Sequence, residues 1–95
     1  MGRVTTTYSH AAPYIRHSIL NTASLKLGAQ RERDKSRLSG EMFGYIAALK
    51  ILLASPEGAD SPVGYPEFRG RPEAVAEVTR FVGGEHEMQV LGFIE

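Results

Sequence analysis

The sequence predicts an α+β fold: one small domain with a mostly helical body of two or three helices and a short terminal strand pair or hairpin. Three observations carry that expectation. Leu38, Met42, Tyr45, Ile46, Leu49, Leu52 and Leu53 recur at helical spacing and form a wide apolar stripe. "RVTTTYS" near the start and "EMQVLGFIE" at the end are rich in β-branched, aromatic or continuous apolar residues, as short strands are. Between them, "SPEGADSPVGYPEFRGRP" follows neither period and reads as a long loop over Ser55–Pro72, stiffened by four prolines.

The 95 residues suffice for a single domain, 1–95, with a modest core. A hydrophobic share of 42% and a charged share of 23% place the chain with globular rather than disordered proteins. The absence of cysteine rules out disulfides, thiolate metal sites and a cysteine nucleophile, and fits a reducing, cytoplasmic setting. No apolar run approaches the roughly 20 residues that span a bilayer, so no membrane partner is expected. "MGRVTT" spaces Gly2 and Thr6 as a myristoylation signal does, a pattern short enough to arise by chance.

Taken in order, Arg3–Ser9 is expected as a strand. Pro13 occupies a first helical position, and a helix runs to Leu27 with Ile15, Ile19, Leu20, Ala23 and Leu27 on its apolar side. Gly28 stops it. The next helix carries the Leu38–Leu53 stripe. Its charged lead "RERDK" is a solvated first turn or a loop, and Ser36 or Ser39 is a fair cap. Gly40 and Gly44 fall on or beside the stripe, where small residues would admit another backbone. "RPEAVAEVTRFVGG" predicts a third helix between Pro72 and the Gly83–Gly84 pair. Val75, Val78, Phe81 and Val82 make its stripe, with Glu73, Glu77 and Arg80 on the other side. A strand at "EVTRFV" is the competing reading.

Charge is unevenly spread. Residues 1–54 hold eight bases and three acids, a net of +5, and residues 55–95 hold three bases and eight acids, a net of −5. Such a split either marks a basic surface or is neutralised across the fold. The candidate basic surface comprises Arg16, Arg31, Arg33, Lys35 and Arg37, which could follow a phosphate backbone. Glu32 and Asp34 interrupt it, so nucleic acid ranks second among partners.

No motif points to catalysis. The histidines are His10, His17 and His86, without metal-ligand spacing, and the Glu85–His86–Glu87 run cannot readily converge on one ion. No phosphate loop, zinc-protease helix, nucleophile elbow or dinucleotide fingerprint occurs. The expected function is therefore non-catalytic protein binding, with no cofactor, no metal and no catalytic residue. Small proteins of this type act by occupying a surface on something larger, as inhibitors or modulators of a host complex from phages or mobile elements do. The residues expected to touch the partner are Tyr65, Phe68, Arg69 and Arg71, which bring interface-rich types to a stiff loop. The alternative for the two aromatics is to fold back as lids on the core. A homodimer is also compatible with these features.

Overall fold

The computed structural model describes the backbone of residues 2–54 and 71–94, with side chains from residue 12 onward. It contains four helices, α1 (Gly2–Gly28), α2 (Glu32–Leu53), α3 (Pro72–Val82) and α4 (Glu85–Val90), and no strand among the described residues. The class is all-α. The expected α+β fold and its terminal strand pair are thereby corrected. Arg3–Ser9 lies within α1, and the apolar closing segment is α4 followed by a turn.

The physical reasons differ at the two ends. Propensity for strand is a weak preference that context overrides, and Arg3–Ser9 continues the backbone ladder of a 27-residue helix. Pro13 therefore lies inside α1 rather than at its start, and removes one rung of that ladder. At the other end, burial settles the period. Met88 and Leu91 are buried while Gln89 and Val90 are exposed, a helical interval that no strand would show. Short apolar runs are ambiguous in just this way.

α1 is the spine, packing against both α2 and α3, while α3 packs against α4. The core cluster takes Ala12, Ile19, Leu20 and Ala23 from α1, Met42, Ile46 and Leu49 from α2, and Ala74 and Val78 from α3. Met88, Leu91 and Phe93 close it. The stripe expected on α2 is the side that packs: Leu38, Met42, Ile46 and Leu49 are buried and Leu52 and Leu53 half-buried. Tyr45 lies at its edge and is exposed, as is Leu27 on α1.

α2 begins earlier than Leu38. Arg31 takes an extended conformation, and its carbonyl accepts from the Asp34 and Lys35 amides. No side chain caps this end, and Ser36 and Ser39 lie inside the helix. Glu32 and Asp34 in the first turn offset the exposed amide dipoles instead. The third helix forms as expected, over Pro72–Val82 with Gly83 as its stop, and no strand occupies 76–82. Gly83 adopts φ +101°, which lets the amides of Gly83 and Gly84 both reach the Thr79 carbonyl.

Glu77 departs from its expected place. It is buried between α1 and α3, where Lys26 Nζ lies 3.1 Å from Oε2 and Arg80 binds Oε1. Lys26 also sits over the Phe81 ring, 5.1 Å from its centroid. Burial by itself raises the Glu77 pKa. The hydrogen bonds and charges of Arg80 and Lys26 outweigh it and hold the carboxyl below its ordinary value. A carboxylate with a lowered folded pKa contributes stability above its unfolded pKa, and loses it as pH falls through the folded value. Chemical denaturation should therefore show stability declining as pH drops below about 4.3. Glu77→Gln should flatten that part of the profile, and an unchanged slope in the variant would show that other carboxylates set it.

Candidate interaction surfaces

The expected partner-binding residues Tyr65, Phe68 and Arg69 lie outside the described residues, as does segment 55–70 of the long loop. Arg71 is described. It precedes α3, and its Nη2 donates to Ser24 Oγ at 2.9 Å and to the Leu20 carbonyl at 3.3 Å. The guanidinium thus ties the start of α3 to the outer side of α1. Beside it runs an open cleft of about 590 Å³ lined by Ser24, Leu27, Arg71, Pro72 and Glu73. Of its polar groups, Arg71 and Ser24 engage each other.

The basic residues do not form one surface. Arg16 is fully buried (0% exposed) in the core side of α1, and its Nε donates to the Leu91 carbonyl at 2.7 Å. It holds the end of α4 rather than facing solvent. At about 100° per residue, Arg33 and Arg37 share one side of α2 and Lys35 lies on the opposite side, while Arg31 precedes the helix in an extended conformation. Lys35 pairs with Glu32 at 3.5 Å and Arg37 with Glu41 at 3.2 Å. Lys26–Glu77 and Lys50–Glu87, the latter at 3.8 Å, join the basic half of the chain to the acidic half. Part of the charge split is thus neutralised across the fold.

Sequence reasoning missed two features. The first is the role of Arg16, whose only signal is its position among Ala12, Ile19, Leu20 and Ala23 on the buried side. The second is the outward side of α2. Gly40 and Gly44 face away from the core, not toward it, and are exposed together with Ala47 and Ala48. Phe43 (70% exposed) flanks this row and Ile51 (75%) ends it. The spacing Gly40, Gly44, Ala47, Ala48, Ile51 was legible, but it was masked by the stronger stripe on the other side.

Among the described residues, no group of three histidine, aspartate or glutamate side chains could hold a metal ion. None of the described helices is long and apolar enough to cross a membrane. Among the described residues, the fold and these surfaces define a small all-α protein with Phe43 and Ile51 on α2 turned to solvent. Comparison with protein-family models, with curated proteins and with solved structures returns no match to this chain.

Proposed function

We propose that this chain acts by non-catalytic binding to another protein, as an inhibitor or modulator occupies a surface on a larger complex. The observation that carries the reading is the outward face of α2, where Phe43 and Ile51 stand exposed beside Gly40, Gly44, Ala47 and Ala48. Water contact with large apolar side chains is unfavourable, and clustered exposed apolar surface marks interaction sites. Arg71, whose Nη2 donates to Ser24 and Leu20, positions the start of α3 and stays, with Tyr65, Phe68 and Arg69, among the residues proposed to touch the partner.

Affinity capture from the native host, with bound proteins and nucleic acids both identified, tests the reading. A protein should be retained by the wild type and lost with Phe43→Ser/Ile51→Ser, whose melting should differ little because both side chains are exposed. Duplex DNA or RNA should bind weakly and release at moderate salt. Nucleic acid retained at physiological salt, and released on neutralising Arg31, Arg33, Lys35 and Arg37, would replace this reading with the nucleic-acid one.

A further inference from the structure

We draw no further inference here: the strongest candidate, the open cleft of about 590 Å³ between the end of α1 and the start of α3 lined by Ser24, Leu27, Arg71, Pro72 and Glu73, rests on a helix N-terminus whose Arg71 guanidinium is already engaged by Ser24 and the Leu20 carbonyl, and nothing among the described residues shows what fills it.

Discussion

Leu49→Ala should lower the unfolding free energy by about 2–5 kcal/mol, one of the two largest effects expected in this protein. Leu49 has no exposed surface and belongs to the cluster where α2 meets α1. Truncation removes three carbons from that contact and leaves a cavity that two long helices cannot collapse without sliding past one another. In a domain of this size, such a loss is a large fraction of the total. Ile51→Ala, two residues on but facing solvent, is the internal control and should change stability little. Equal melting temperatures for Leu49→Ala and the wild type would mean that α2 packs loosely and that its core side is not the centre of the fold.

Gly92→Ala should be the second large effect, and its cause is steric as well as conformational. Gly92 takes φ +81°, a region that costs L-residues about 1–2 kcal/mol. It completes a Schellman turn in which the Phe93 amide donates to the Met88 carbonyl and the Gly92 amide to Gln89. A Cβ here would lie 2.4 Å from Arg16 Nη2 and 2.7 Å from Cζ. The guanidinium must then move, although it is fully buried and its Nε is bonded to the Leu91 carbonyl. Displacing it leaves that buried carbonyl short of a donor, at a further cost of about 1–3 kcal/mol. Gly83→Ala separates the two causes. Gly83 has φ +101° but nothing within 4 Å of a Cβ, so it bears the backbone penalty alone. Gly92→Ala should be clearly the more damaging of the pair in denaturant melts. Losses of the same size would show that Arg16 yields freely and does not hold the C-terminal turn.

The contrast between these two glycines shows where sequence reading reaches its limit. Both stand where a helix ends, and local chemistry alone is enough to read Gly83 as a stop, since only nearby carbonyls are involved. Gly92 carries the same local signal, but its added steric constraint comes from Arg16, far away in the chain. Glu77 is a similar case. On a helical wheel it belongs to the polar side of α3, yet Lys26 on α1 and Arg80 neutralise it inside the fold. A wheel knows the direction of a side chain but not what waits there.

By itself the sequence determined α2, with its packed Leu38–Leu49 side, and α3, with its Pro72 start and glycine stop. Each is written in residues within a few turns of one another, where spacing and backbone preference act directly. It also determined that no cysteine chemistry is present. Only the tertiary structure decided that Arg3–Ser9 and Glu85–Val90 are helical. β-branched and continuous apolar runs suit a strand only if another strand lies alongside, and here α1 packs against helices on both sides instead. The tertiary structure also decided which charges face water, drawing Arg16 and Glu77 inward because distant partners offset their desolvation. And it decided that Gly40 and Gly44 face outward: the core took the leucine side of α2, since that side buries more apolar surface.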